Sequence, residues 1–226
     1  MNLSTQGKLK INRSLEEVFN EATAKYKVWR QGGFACFSPE TFIQIKEGVI
    51  STRAMEGTID ASDIDAEEKL QNNAKENAEH ATVVDLLRND LSLVAKQVRV
   101  TQYKYYEEIK AHRKMTGQLS SCIEGKLPDN YAERIGQILQ RLLPAGSISG
   151  APKAKTKELI QNIEESPRGF YTGIAGIFDG KELDSCVMIR FLSEDGTYRC
   201  GGGITHLSDF EEEYNELIQK IYVPIL

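Results

Sequence analysis

The sequence predicts an α+β fold, on three observations. An alternating apolar run from Phe34 to Thr52 surrounds a Glu47-Gly48 turn and reads as a hairpin. A long helical pattern follows from about Ala66 to Ala95. Three β-rich runs, Phe170 to Phe178, Leu183 to Leu192 and Thr197 to Ile204, are joined by the turn pairs Asp179-Gly180 and Asp195-Gly196 and closed by a helical stretch. The second half therefore reads as an antiparallel meander flanked by helices.

In chain order, Met1 to Asn12 is polar and unpatterned and carries no expected element. Ser14-Leu15-Glu16-Glu17 is a capping box, which opens a short helix through about Ala24. Beyond the hairpin and the long helix come a strand near Val98 to Val100, irregular structure, a short strand around Ser121 to Ile123, and a helix from about Asn130 to Leu143. Pro144 to Pro152 is a Gly- and Ser-containing loop, with Pro152 placed as the first residue of a helix ending near Ile163. The last helix is expected from about Ser208 to Tyr222.

Bulk properties narrow the function. A chain of 226 residues, 40% hydrophobic and 27% charged, is long enough for one sizeable core, and residues 1–226 read as one domain or one large piece of a domain. The net charge of −5, with no basic stripe interleaved with aromatics, argues against a nucleic-acid surface. An anionic small molecule would need a local cationic pocket. Cys36, Cys122, Cys186 and Cys200 form no Cys-x-x-Cys pair, and no signal peptide is apparent, so a reducing cytoplasm is the expected compartment. No apolar run approaches the roughly 20 residues that span a bilayer.

Two acidic pairs stand out. Glu76 and Glu79 lie i, i+3 on the long helix, with Glu79 continuing into the apolar positions Val83 and Leu86; Glu213 and Glu216 repeat the spacing beside Leu217 and Ile218. Glu-x-x-Glu is common on solvated helices. Were the two helices to face each other, four acids would converge, and a hard cation such as Mg2+ would offset their repulsion while taking oxygen ligands. The segment Gly146-Ser147-Ile148-Ser149-Gly150-Ala151-Pro152-Lys153 leads into a helix N-terminus, which suits either an anion or a plain cap. Arg190, within Val187-Met188-Ile189-Arg190-Phe191, is either a salt-bridge residue or a bidentate grip on a carboxylate. Gly201-Gly202-Gly203 weakens a strand end unless another group must come close.

Taken in order, Ser38-Pro39-Glu40, Gly57-Thr58, Ala78-Glu79-His80 with Val84-Asp85-Leu86-Leu87-Arg88-Asn89-Asp90, Gly146 to Lys153, Arg168 to Gly173, Ile189-Arg190, Gly201 to Ile204, and Ser208-Asp209 with Glu213-Tyr214 and Glu216 resemble the signature of the chorismate-utilising enzymes. The resemblance is closest to the aminodeoxychorismate synthase component I (para-aminobenzoate synthase component I) branch. It implies two antiparallel sheets packed across each other with helices outside. The chain resembles the C-terminal portion of the family's catalytic domain, and the N-terminal part of that fold is expected to be missing.

By the same resemblance, Glu79 and Glu216 match direct magnesium ligands, and Glu76 and Glu213 match the pair acting nearby, largely through water. Tyr171 and Arg190 match groups that hold the enolpyruvyl carboxylate of chorismate. Gly203 lies where backbone N–H groups approach the substrate, and Thr58, Lys220 and Ser149 of the Gly-containing loop are further binding positions. Glu40 would assist departure of the C4 hydroxyl. Two catalytic positions depart from the pattern: Glu56 stands where aminodeoxychorismate synthases carry a nucleophilic Lys and anthranilate synthases Ala, and Gln118 stands where many members have His. Gln hydrogen-bonds but does not titrate. The implied activity is a transferase step in folate biosynthesis, converting chorismate and ammonia to 4-amino-4-deoxychorismate, with a separate glutamine amidotransferase subunit supplying ammonia. Alternatives are anthranilate synthase component I and a truncated, non-catalytic chorismate- or subunit-binding remnant.

Overall fold

The structure is a computed structural model that describes residues 1–111, 114–221 and 223. Its elements are β1 (Asn2–Lys8), α1 (Leu15–Glu21), β2 (Tyr26–Arg30), β3 (Phe34–Ser38), β4 (Thr41–Lys46), β5 (Val49–Asp60), α2 (Ala66–Asn72), α3 (Ala74–Ser92), β6 (Lys96–Ala111) and β7 (Lys114–Lys126). A 3-10 turn at Ala132–Arg134 leads into α4 (Ile135–Leu142), followed by α5 (Lys153–Ile163), β8 (Ile174–Phe178), β9 (Leu183–Val187), β10 (Phe191–Ser193), β11 (Thr197–Gly203) and α6 (Phe210–Gln219). The chain forms two compact units, one of Met1–Glu40, Ile148–Ala175 and Cys186–Leu226, the other of Thr41–Ser147 and Gly176–Ser185.

The first unit carries a five-stranded antiparallel sheet in the order β1-β11-β10-β3-β2. Every residue of β3 is buried, and its alternation feeds two clusters. Ala35 and Phe37 join Leu15, Val18 and Ala22 of the α1 segment with Leu192 and Tyr198, while Phe34 and Cys36 join Tyr171, Met188 and Phe191. The capping box forms as read: Glu17 N donates to Ser14 Oγ at 3.2 Å and Ser14 N to Glu17 Oε2 at 2.8 Å. The second unit holds a six-stranded sheet in the order β6-β7-β5-β4-β9-β8. Ile43, Ile45, Ile50, Leu119 and Ile123 are among its nearly inaccessible apolar strand positions.

Several elements differ from the sequence reading. Met1 to Asn12 contains β1, whose polar residues pair with β11 from Asn2↔Gly203 to Lys8↔Thr197. An edge strand of this kind lacks apolar alternation. The expected helix from Ala66 to Ala95 is two helices, broken where Asn73 takes an extended backbone and its Oδ1 accepts from Glu76 N at 3.1 Å. The short strands near Val98 and Ser121 belong to the long strands β6 and β7, and three register shifts in β6, with positive φ at Gln97 and Lys104, scramble its alternation. Leu183 to Leu192 is not one strand: β9 lies in the six-stranded sheet and β10 in the five-stranded one, so the strands do not form a simple meander. Residues 170–173 form turns ahead of β8 rather than strand. Pro152 is the N-cap of α5, with extended ψ of 134°, rather than its first residue. The last helix covers Phe210–Gln219, and Tyr222 lies outside the described residues.

In the first unit a shielded ion pair links the end of α5 to β1 and to the loop before α5. Arg168 Nη2 meets Glu164 Oε1 at 2.6 Å and Nε meets Oε2 at 2.9 Å, with side chains only 15% and 8% exposed. The guanidinium also donates to the carbonyls of Ile148 and Asn2, each at 2.9 Å, and Glu164 Oε1 accepts from Ser4 N at 2.8 Å. Burial pushes the Glu164 carboxyl upward, but the Arg168 and Ser4 hydrogen bonds outweigh it and hold the pKa below the ordinary carboxylate value. A carboxyl lowered on folding stabilises the fold above its unfolded pKa, and that contribution disappears as pH falls through the folded pKa. Arg168→Ala should cost about 2–3 kcal/mol as the shielded carboxylate loses its partner, below the range for a fully buried pair because some solvent reaches it. Urea unfolding at neutral pH should show this loss, and the gap from wild type should narrow in acid; a neutral substitution at all pH values would contradict the assignment.

Candidate functional site

In the first unit the predicted binding residues gather around the end of β11. A Cβ at Gly201 would lie 2.7 Å from Leu3 O and 3.1 Å from the Tyr171 hydroxyl, so only glycine admits both neighbours. Tyr171 is 3% exposed. Burial, with a smaller contribution from Cys200, holds its phenol far above the usual range against the opposing charges of Arg168 and Arg190. Arg190 occupies the break between β9 and β10 with φ of 54°, so it is not an ordinary strand residue as the sequence suggested. The break is fixed by hydrogen bonds from Thr172 N to Met188 O at 2.8 Å, Met188 N to Gly173 O at 2.7 Å and Phe37 N to Arg190 O at 3.2 Å.

Lys220, the C-cap of α6, donates to Gly201 O at 3.3 Å and pairs with Glu216 at 2.5 Å. Glu213 is 7% exposed, and its Oε2 lies 3.9 Å from a Cβ built on Gly202, as does Lys220 Nζ. Gly203 faces Asn2 across the β1–β11 ladder. Ser149 is buried, and its carbonyl accepts from Asn2 N at 3.1 Å, so the Gly-containing loop braces β1. Glu40 follows β3, its carbonyl accepting from Val187 N at 3.2 Å.

The second unit holds the other predicted residues. β5 carries a bulge between Glu56 and Thr58, where Gly57 has φ of 74°. A Cβ there would sit 2.9 Å from Glu76 Oε2, so this glycine leaves room for the α3 carboxylate. Register places Glu56 opposite Leu119 and Thr58 opposite Gln118. Successive side chains alternate faces. Ser121, two residues from Leu119, hydrogen-bonds His80 of α3 at 2.6 Å, so Glu56 falls on the α3 face and Thr58 and Gln118 on the other. On that second face Gln118 Nε2 donates to Glu107 Oε1 at 3.0 Å and Ser120 Oγ at 3.1 Å. Glu107 and Ser120 were not foreseen. The only sequence signal was the alternation of Gln118 with Ser120, because the facing strand β6 is bulged.

The four glutamates divide two and two, Glu76 and Glu79 in the second unit and Glu213 and Glu216 in the first. Among the described residues neither unit contains a group of three or more His, Cys, Asp or Glu able to hold a metal ion. The available acids are oxygen donors at i, i+3 spacing. Glu76 packs over a glycine and Glu213 is buried, so the donor chemistry fits a hard cation that takes few direct carboxylates.

A family profile described as chorismate binding enzyme matches residues 1–225. The chain belongs to this family. A Pasteurella multocida protein named uncharacterized PabA-like protein PM1464 is 50% identical over 228 residues, spanning all of this chain and 70% of that protein. Aminodeoxychorismate synthase component 1 of Salmonella typhimurium is 35% identical over 202 residues, covering 84% of this chain and 43% of its own length. The crystal structure of anthranilate synthase component I from Streptococcus pneumoniae superposes with a TM-score of 0.81 at 26% identity, over 97% of this chain and 51% of that one. The chain thus spans about half the length of that solved chorismate-family structure. The two antiparallel sheets with flanking helices are the family's architecture. No helix among the described residues is long and apolar enough to cross a membrane.

His80 completes the α3 face. It is fully buried, its Nε2 contacts Ser121 Oγ, and its Nδ1 has no hydrogen-bond partner among the described residues. Burial, helped by the charge of Lys104, lowers its pKa from 6.5 to about 4. A histidine lowered on folding stays neutral in the native state, so its contribution to stability is present above pH 6.5 and is lost as pH falls toward 4. Two-dimensional NMR of the imidazole should show His80 neutral down to about pH 4; titration near 6.5 would refute the buried neutral state.

Proposed function

We propose that this chain catalyses the magnesium-dependent amination of chorismate by ammonia to 4-amino-4-deoxychorismate, as component I of an aminodeoxychorismate synthase. The observation that carries the proposal is the gathering of Tyr171, Arg190, Lys220 and Glu213 about the glycine-ended strand β11. Glycine backbone, a buried phenol and two cations suit a small, multiply charged anion in a protein of net charge −5. The similarity to the Salmonella component 1 supports the reaction type. Folate biosynthesis, a cytoplasmic location and an amidotransferase subunit as ammonia source belong to the same proposal.

In this reading Arg190 and Tyr171 grip the enolpyruvyl carboxylate, Lys220 and Gly203 flank the ligand, and Thr58 and Ser149 complete its binding. Glu40 protonates the departing C4 hydroxyl. Glu79 and Glu216 would hold Mg2+ directly, with Glu76 and Glu213 acting through water. A bound magnesium ion supplies Lewis-acid polarisation of the ring carboxylate. Glu56 replaces an amine nucleophile with a carboxylate, which repels a dianion. Anthranilate synthase is the second reading, favoured by relatives such as the Aeropyrum pernix component 1 at 33% identity over 81% of this chain.

The purified chain should be incubated with chorismate, magnesium and an ammonium salt, and products separated with and without aminodeoxychorismate lyase. Lyase-dependent 4-aminobenzoate is expected; anthranilate, or no product, would overturn the assignment. Glu56→Lys should raise the yield at the same magnesium concentration, and less product would assign the position another role. Calorimetry should show that Glu79→Gln and Glu216→Gln each lose magnesium-dependent chorismate binding. Arg190→Lys should weaken chorismate binding by roughly 1–3 kcal/mol, the scale of charge-assisted hydrogen bonds, and unchanged affinity would make Arg190 structural.

A further inference from the structure

The face of the five-stranded sheet turned away from α1 carries a second concave site. In β11, Tyr198 and Cys200 join the cluster around α1, so Arg199 turns to the opposite face, where it stands beside its register partner Phe191 of β10. Phe34 of β3 stacks on Phe191 with ring centroids 4.5 Å apart, and Phe170 meets Phe34 at 5.3 Å. Arg30, at the end of β2, lies over Gly33, where a built Cβ would sit 3.4 Å from Arg30 Nη1, and holds its guanidinium 5.3 Å from the centre of the Phe170 ring.

These five side chains line one solvent-facing cavity of about 240 Å³, wholly within the first unit. Phe170 keeps 55% of its surface exposed there. Arg168 lines the cavity too, but Glu164 already meets its charge. The other two cations are different. Arg199 donates to the neutral Ser166 Oγ at 3.3 Å and Arg30 rests on an aromatic face, and neither meets a carboxylate among the described residues. No Asp or Glu lines the cavity.

We propose that this cavity binds a single-ring aromatic carboxylate, its ring against Phe34, Phe170 and Phe191 and its carboxylate on Arg30 and Arg199. Guanidinium forks match the two oxygens of a carboxylate, and the phenylalanine wall offers a ring the contacts that water does not. The volume lies below the roughly 300–1,000 Å³ of sites that enclose drug-sized ligands, so it holds one ring rather than a nucleotide. Tyr171, Arg190 and Lys220 do not line it, so the site is separate from the β11 end and independent of the amination reading.

The full chain should be titrated with benzoate and followed by 1H–15N NMR. Saturable shifts are expected at the amides of Gly33, Gly169 and Ser193, which border the cavity. Arg30→Gln and Arg199→Gln should each weaken binding roughly tenfold, the loss of about one charge-assisted hydrogen bond. On the unmodified chain, cyclohexanecarboxylate and inorganic phosphate, which keep the charge without the aromatic ring, should bind severalfold more weakly than benzoate. Shifts confined to Gly201 to Gly203 would place benzoate at the β11 end and overturn the proposal. So would the absence of saturable shifts, equal binding of cyclohexanecarboxylate, or an affinity indifferent to both arginine substitutions.

Discussion

The Arg168–Glu164 pair is the interaction on which the first unit depends. Its two charges are largely shielded, and its contacts join three segments: β1 through Asn2 and Ser4, the loop through Ile148, and the end of α5 through Glu164 itself. A buried pair gains little over an apolar substitute, because desolvation offsets attraction. Its value here is the backbone groups it satisfies. β1 is an edge strand with little apolar side-chain area, so a polar clamp does what a hydrophobic face does elsewhere. β11 then has neighbours on both sides, and the glycines that admit Tyr171 and approach Lys220 stay in a fixed ladder.

The second constraint is the change of sheets at Met188 to Arg190. A left-handed backbone at a non-glycine residue costs on the order of 1–3 kcal/mol and persists only where its surroundings over-determine it. Here they do: Thr172, Met188, Ile189 and Phe37 N–H groups all bond within the break, and Cys36 Sγ donates to Ile189 O at 3.1 Å. Burial, with the nearby Cys186, pushes the Cys36 thiol well up, so it serves as a neutral donor rather than a nucleophile. The strain fixes the Arg190 backbone beside the buried Tyr171.

Legibility in the sequence followed burial geometry. Elements with local chemical punctuation were readable: the Ser14–Glu17 capping box, the Glu47-Gly48 hairpin turn, and the Asp195-Gly196 turn whose Gly196 has φ of 80°. β1 was not, because its partner is almost two hundred residues away and its side chains are polar. β6 was not, because bulges shift its alternation three times. Of the site, the glycines, acids and Arg190 were visible as motifs. Glu107 was hidden, since its meaning lies in the register of β6 against β7. His80 was visible only inside a motif; its buried bond to Ser121 required the packing of α3 on the sheet.

Register also decides which chemistry each face of the second unit's sheet carries. Along β7, Leu119, Ser121 and Ile123 turn toward α3, while Gln118, Ser120 and Cys122 turn away. β5 runs beside it in strict antiparallel register from Val49↔Lys126 to Glu56↔Leu119, and continuing that register would place Gly57 opposite Gln118. The extra residue at the bulge moves Thr58 there instead. A hydroxyl thus joins the row of Gln118 and Glu107, and Gly57 is left on the side where Glu76 needs the space. A one-residue slip would exchange the faces of every later side chain in the strand. The Gly-Thr dipeptide in the sequence is therefore the device that separates the hydrogen-bonding row from the α3 carboxylates.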